Sequence, residues 1–240
     1  MLPYAHRFPK LSAPSLKELF VQELEGMILS GKLAIGAKLP PERELAKAMQ
    51  VSRAVVNAGL SELEQKGFVE IRPRIGATVS DFRRNGTADT LLSLMRYNGG
   101  RLRRDEVRSI LQIKLILDRL AAELAAINAS DEDLNTLSSR LNAFDEANTP
   151  EETAEAAYGY YHELAFVSGN TFAPLIYRSF RAPILNLWAR FSRKHGNASL
   201  SGNAARLNAF IQVRDAQGAI RCVEISVGET IEGSREIYED

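Results

Sequence analysis

Cysteine is almost absent from this 240-residue chain. Cys222 stands alone, so no internal disulfide forms and the fold rests on its packing. Histidine is nearly as scarce, with only His6, His162 and His195. No apolar run approaches the length of a bilayer-spanning helix, and residues 1–14 lack the apolar stretch of a secretory signal. A cytoplasmic setting without membrane attachment is expected. Also missing are a Gly-x-Ser-x-Gly elbow, a His-Glu-x-x-His pair and a phosphate-cradling glycine loop. Asp131-Glu-Asp133 starts like a calcium loop but lacks the following glycine and the distal glutamate, so it reads as an acidic helix start. Neither catalysis nor a cofactor is expected.

Net charge is absent as well, but only in total. Residues 1–84 carry 13 Lys+Arg against 9 Asp+Glu, a balance of +4, leaving 17 against 21, or −4, for residues 85–240. With 45% hydrophobic and 25% charged residues the chain is globular, and its length suits two domains. The hydrophobic periodicity changes near residue 85. The expected division is an N-terminal extension (1–14), a first domain (15–82), a linker with a connecting helix (83–100) and a helical domain (101–240).

The first domain is the more legible. Leu16, Leu19, Phe20, Leu24, Met27 and Ile28 recur at helical spacing over 15–30. Pro41 opens a helix to Met49, with Glu42 at its positive end. Ser52 caps a third helix that ends near Lys66-Gly67. Strands over 68–71 and 77–80 flank the turn Pro73-Arg74-Ile75-Gly76. Three helices and a basic-tipped hairpin make a winged helix-turn-helix, which places a helix N-terminus and a wing at DNA grooves. Arg53 suits guanine O6 and N7, Asn57 suits adenine, and Ser52 lies beside them. Arg43 suits phosphate, and Arg72, Arg74 and Gly76 form the wing. A winged helix that binds another protein, with no small-molecule effector, is the alternative.

After residue 86 the pattern is helical, with helices expected near 87–97, 103–128, 131–147, 150–168, 172–193, 203–216 and 218–238. Thr149-Pro-Glu-Glu152 carries a capping box. Along 103–128, Ile110, Ile113, Leu117, Leu120 and Leu124 share one face, with Arg108, Gln112, Leu115 and Arg119 opposite. In the last helix Ala219, Cys222, Ser226, Thr230 and Gly233 align beside Ile220, Val223, Val227 and Ile231. The fold class is therefore mainly α, a winged helix-turn-helix followed by an all-α bundle.

Leu39-Pro-Pro-Glu-Arg-Glu-Leu-Ala46, Val51-Ser-Arg53 and Arg72-Pro-Arg-Ile-Gly76 resemble the N-terminal domain of the GntR family of bacterial transcription regulators. The helical remainder, with Tyr161-His162-Glu-Leu-Ala-Phe-Val-Ser-Gly-Asn170, is similar to the effector domain of its FadR subfamily. The resemblance spans about Leu16 to Ile237. It implies a homodimer on a pseudo-palindromic stretch of double-stranded DNA, with residues 101–240 as the effector-binding and dimerisation domain and a small-molecule effector, acyl-coenzyme A or an organic or sugar acid, changing DNA affinity. Two positions depart from the family pattern: Asn57 stands where arginine is usual and Ala77 where threonine is usual. Many members hold a metal with one Asp and three His; here Tyr158, Ala204 and Ser226 stand beside His162 at those positions, so no metal is expected. The resemblance also places Arg108 in the effector pocket, with Gln112, Tyr158, Tyr161, His162, Ser226 and Thr230 as its other candidate walls.

Overall fold

Side-chain caps decide where the helices of the first domain begin. Ser15 opens α1 (Leu16–Leu29) with a reciprocal capping box: its hydroxyl accepts from the Glu18 N–H, and the Glu18 carboxylate accepts from the Ser15 N–H at 2.7 Å. Pro41 precedes α2 (Glu42–Ala48), and Ser52 caps α3 (Arg53–Gln65) by accepting from the Val55 N–H at 3.2 Å. Strands β1 (Val69–Arg72) and β2 (Gly76–Val79) pair antiparallel, with Val69 opposite Val79 and Arg72 opposite Gly76. Short α4 (Phe82–Asn85) and α5 (Ala88–Arg96) follow. This computed structural model describes residues 14–97 and 103–238. Most of the expected N-terminal extension, and residues 98–102 at the end of the linker, lie outside that range.

The chain divides into two compact units between Gly99 and Gly100. In the first, Phe20, Leu24 and Ile28 of α1 meet Leu45 of α2, Val56, Leu60 and Leu63 of α3, and Phe68 and Val79 of the hairpin. Leu16 and Leu19, which share the apolar spacing of α1, are instead exposed. The mid-helix glycine of α3 has a steric reason: a Cβ on Gly59 would lie 2.3 Å from the Phe20 ring. α5 belongs to the same packing, since the Thr90 hydroxyl donates to the Lys66 carbonyl and Ser93 Oγ donates to Glu25 at 3.0 Å.

Gly67, just after α3, has φ of 73°, and an added Cβ would lie 2.3 Å from the Asn85 carbonyl oxygen. Left-handed backbone and a backbone clash both oppose a side chain there. Gly67→Ala is expected to destabilise the first unit by about 2–4 kcal/mol, seen as a lower denaturation midpoint of the full chain. An unchanged midpoint would show that the backbone at Asn85 yields freely.

The second unit is wholly helical among the described residues: α6 (Arg104–Asn128), α7 (Asp131–Ser139), α8 (Asn142–Asp145), α9 (Pro150–Val167), α10 (Ala173–Ser179), α11 (Arg181–His195), α12 (Asn197–Gln212) and α13 (Ala216–Glu232). Alanines dominate the contacts. Ala121, Ala122 and Ala125 of α6, Ala154, Ala157 and Ala165 of α9, Ala204 of α12 and Ala219 of α13 are all buried, and small side chains let helix backbones approach closely. Aromatic residues, Tyr160, Tyr161, Tyr177 and Trp188, fill the remaining core.

Four helix boundaries differ from the sequence pattern. The helix expected over 131–147 breaks after Ser139, where Gln212 of α12 donates to the Leu134 carbonyl and to Ser138 Oγ, both at 2.8 Å. The one expected over 172–193 divides at Phe180, and Pro183 then sits in the first turn of α11, where its missing N–H is harmless. α12 starts at Asn197, directly after Gly196 with φ of 83°. α13 stops before Gly233, and the chain folds back so that the Tyr238 hydroxyl donates to the Ile231 carbonyl.

Candidate DNA interface and effector cavity

The N-termini of α2 and α3 converge at the surface of the first unit. Asn57 Nδ2 lies 3.4 Å from Glu42 Oε1, a long hydrogen bond linking the two helices. Arg43, Ser52, Arg53 and Asn57 are all exposed. At the hairpin, Arg74 has φ of 65° and Gly76 φ of 104°, so the turn projects its residues into solvent. Arg72 points no free charge outward, because Glu70 holds its guanidinium through two bonds of 2.9 and 3.0 Å and raises its pKa. Lys38 joins the wing through the bridge to Thr78, and its Cε lies 3.7 Å from where a Cβ on Gly76 would stand.

Ion pairs hold many of the other arginines. In the second unit Arg108, Arg119, Arg140, Arg181, Arg193 and Arg214 each pair with a carboxylate. Lys38, Arg43, Arg53 and Arg74 have no hydrogen-bond or ion-pair partner among the described residues. Unpaired surface cations meet phosphate or a base edge without first leaving a carboxylate.

The second unit holds a partly open cavity of about 40 Å³ lined by residues including Leu111, Lys114, Tyr161, Trp188, Asn203, Ser226 and Thr230. That volume holds roughly one or two waters. Lys114 is buried, pairs with the fully buried Asp118, and sits 4.6 and 4.7 Å from the ring centres of Tyr161 and Trp188. Tyr177 donates its hydroxyl to the other Asp118 oxygen. Burial first, and then the Asp118 charge, raise the pKa of Tyr161 and Tyr177 far above the usual tyrosine value, so Tyr177 stays a donor. Ser226 and Thr230 donate to the Val223 and Ser226 carbonyls at 3.2 and 3.0 Å, leaving lone pairs toward the cavity. Arg206 donates to Asn203 Oδ1.

Residues 16–79 match the bacterial regulatory proteins of the gntR family, and residues 109–227 match the FCD domain. The regulator Mce2R of Mycobacterium tuberculosis is 33% identical over 168 residues, 70% of each chain. The chain belongs to the GntR family. The repressor NanR of Klebsiella aerogenes is 28% identical over 232 residues, 89% of this chain and 83% of that one. Among solved structures, Lar of Listeria monocytogenes shares the fold at a TM-score of 0.60 and 15% identity, covering 92% of this chain and 97% of that one. This GntR-family protein is a DNA-binding transcription regulator, not an enzyme, and an FCD domain carries its response to a small-molecule effector.

Against that assignment, the effector-side residues divide into three groups. Tyr161, Ser226 and Thr230 line the cavity. Tyr158 and His162 lie outside its lining: Tyr158 donates to the Tyr177 carbonyl at 3.4 Å, and His162 Nε2 lies 3.2 Å from the Pro174 carbonyl. Arg108 and Gln112 are exposed, with Arg108 paired to Glu232. The buried face of α6 is Val107, Leu111, Lys114, Asp118, Ala121, Ala122, Ala125 and Ala126. Isoleucine spacing therefore picks the outer face of this helix and turns Arg108 the wrong way. The missed cavity cation, Lys114, carries a legible signal: an opposite charge four residues on, inside an alanine-rich stripe.

The metal set common in the subfamily does not fit these residues. His162 is engaged with Pro174 and stacked on Tyr158 at 5.3 Å, Ala204 offers no donor, and Ser226 bonds its own helix. Among the described residues no three His, Cys, Asp or Glu side chains converge on one point, and no helix is long and apolar enough to cross a membrane.

Proposed function

We propose that two copies of this regulator bind a pseudo-palindromic operator in the cytoplasm, each laying the start of α3 in a major groove. Arg53 reads a guanine and Asn57, released from Glu42, reads its neighbour. Lys38, Arg43 and Arg74 hold phosphates, with Ser52 and Gly76 shaping the helix start and wing beside them. Arg72 contributes only after leaving Glu70. The observation that carries this reading is the gathering of the exposed, unpaired Arg43 and Arg53 at the converging starts of α2 and α3, with Lys38 and Arg74 at the wing.

The effector we assign to the FCD cavity is a compact organic acid. Lys114 lines the cavity, and Arg206 donates to Asn203 of the same lining, so cationic donors stand at and behind this wall for a monocarboxylate, with Tyr161 and Trp188 to cover an apolar body. The small cavity favours such a ligand over acyl-coenzyme A.

Fluorescence anisotropy on the DNA upstream of the coding region, with scrambled competitor and a salt series, tests the DNA reading. Three phosphate-binding cations per copy predict a slope of log affinity against log salt of about −5 for the dimer. A slope near zero, or binding erased by scrambled DNA, would reject it.

A further inference from the structure

Residues 233–238 leave α13 and turn back against the start of α6 and the end of α11. Gly233 makes the reversal, since a Cβ there would lie 2.6 Å from the Glu229 Cα, and the Arg235 N–H then donates to the Glu229 carbonyl at 3.1 Å. From residue 236 onward the holds come from side chains. Arg190 and Lys194 of α11 donate to the Ile237 and Tyr238 carbonyls at 3.5 and 3.4 Å, and His195 Nε2 lies 3.1 Å from the Glu236 carbonyl. Arg104, the first residue of α6, lies over the Tyr238 ring, 4.5 Å from its centre, and reaches Glu236 at 3.5 Å. These bonds are longer than the usual ~2.9 Å, and the Arg104–Glu236 pair stands largely in solvent, where an ion pair is weak.

One side chain of this loosely held segment is nevertheless sealed. Ile237 is 1% exposed and lines the cavity together with Lys114 and Trp188. Every other described residue of that lining lies on a helix, α6, α9, α11, α12 or α13. Moving one of those walls unpacks a helix, whereas moving Ile237 breaks no helical hydrogen bond.

We propose that residues 233–238 are the gate of the effector cavity, with Ile237 as the plug that an entering acid displaces. The proposal rests on the effector reading above and says which wall yields. A cavity of about 40 Å³ is far below the roughly 300–1,000 Å³ of ordinary ligand pockets, and withdrawal of a four-carbon side chain adds room without unpacking the bundle. The gate is also tied to the place where the chain enters the second unit. Arg104 holds Tyr238 and Glu236, and Arg108, one turn later, pairs with Glu232 at the root of the segment. An acid that lifts Ile237 therefore loosens the start of α6, which follows the linker from the reading head, and its preference for the lifted state is what shifts the balance.

Trp188 is the one tryptophan of the chain and lines the same cavity, so acrylamide quenching of its fluorescence reports how often the gate opens. In the full-length protein, Arg104→Gln combined with Tyr238→Phe removes the ion pair to Glu236, the cation over the ring and the bond to the Ile231 carbonyl. The quenching constant is expected to rise about threefold or more, with the helical circular dichroism unchanged. Arg119→Gln, which cuts the Arg119–Glu224 pair between α6 and α13 away from the gate, is expected to quench like the wild type. An unchanged double variant, or an equal rise in Arg119→Gln, would overturn the gate.

Sodium hexanoate, followed through Trp188 fluorescence, supplies the second readout. Ile237→Ala keeps the backbone carbonyl that Arg190 holds and removes only the plug, so it is expected to bind hexanoate about tenfold or more tightly than the wild type, which must first expel the plug. Equal affinities would overturn Ile237 as the plug. If neither protein binds hexanoate while the double variant is quenched more strongly, the gate stands and the acid reading falls.

Discussion

Arg53→Ala is expected to lower operator affinity by about 10²–10⁴-fold while leaving affinity for scrambled DNA within a few-fold. Arg53 is the first residue of α3, exposed, and without a protein partner among the described residues. A bidentate arginine–guanine contact discriminates by about 1–3 kcal/mol, and a dimer makes it twice. The fold should not notice the change, because Ser52 keeps its bond to the Val55 N–H and alanine is well tolerated in a helix. An unshifted thermal midpoint checks this. Arg53→Lys separates charge from geometry: it keeps phosphate attraction but not the two-pronged fork, so specific binding should fall nearly as far. Wild-type specificity in Arg53→Ala would move the reading contact to another residue.

Lys114→Met is expected to destabilise the second unit by about 3–5 kcal/mol, the usual consequence of stranding a buried charge. Asp118 would lose its one ion-pair partner among the described residues while remaining fully buried, keeping the Tyr177 hydroxyl as a side-chain donor. Adding Asp118→Asn should recover most of the loss, because the amide oxygen still accepts from Tyr177 and no charge is left unpaired. Denaturant titration of the wild type, both single variants and the double variant closes the cycle, with a coupling above about 2 kcal/mol expected for groups this close. The double variant should still bind operator but no longer respond to a monocarboxylate. A Lys114→Met protein as stable as wild type would mean that Asp118 is rescued by water or neutralised.

The reading head was legible because its signals are local. A proline before α2, a serine cap on α3 and a glycine-tipped turn each act within a few residues, and the structure reproduces these elements to within one or two positions. The residues proposed to face DNA follow from those elements, except Lys38, which only the bridge to Thr78 brings to the wing. The effector unit was less legible, for two physical reasons. Its core is built from alanine, whose burial leaves little hydrophobic contrast, so the isoleucines of α6 drew attention to the wrong side. Its helix breaks are tertiary as well: Gln212 reaches across from α12 to donate to the Leu134 carbonyl within α7 and to Ser138 Oγ near its end. Pro183 was the exception, a local signal that could have divided α10 from α11.

The smallness of the cavity beside Lys114 has a thermodynamic corollary. A space of about 40 Å³ admits no organic acid without moving its walls, so binding and rearrangement of the bundle are one event. Part of the intrinsic affinity is spent on that rearrangement, and the observed affinity falls by the fraction of molecules already open. A solute that binds both arrangements alike shifts nothing. The bundle therefore filters by work done as well as by fit.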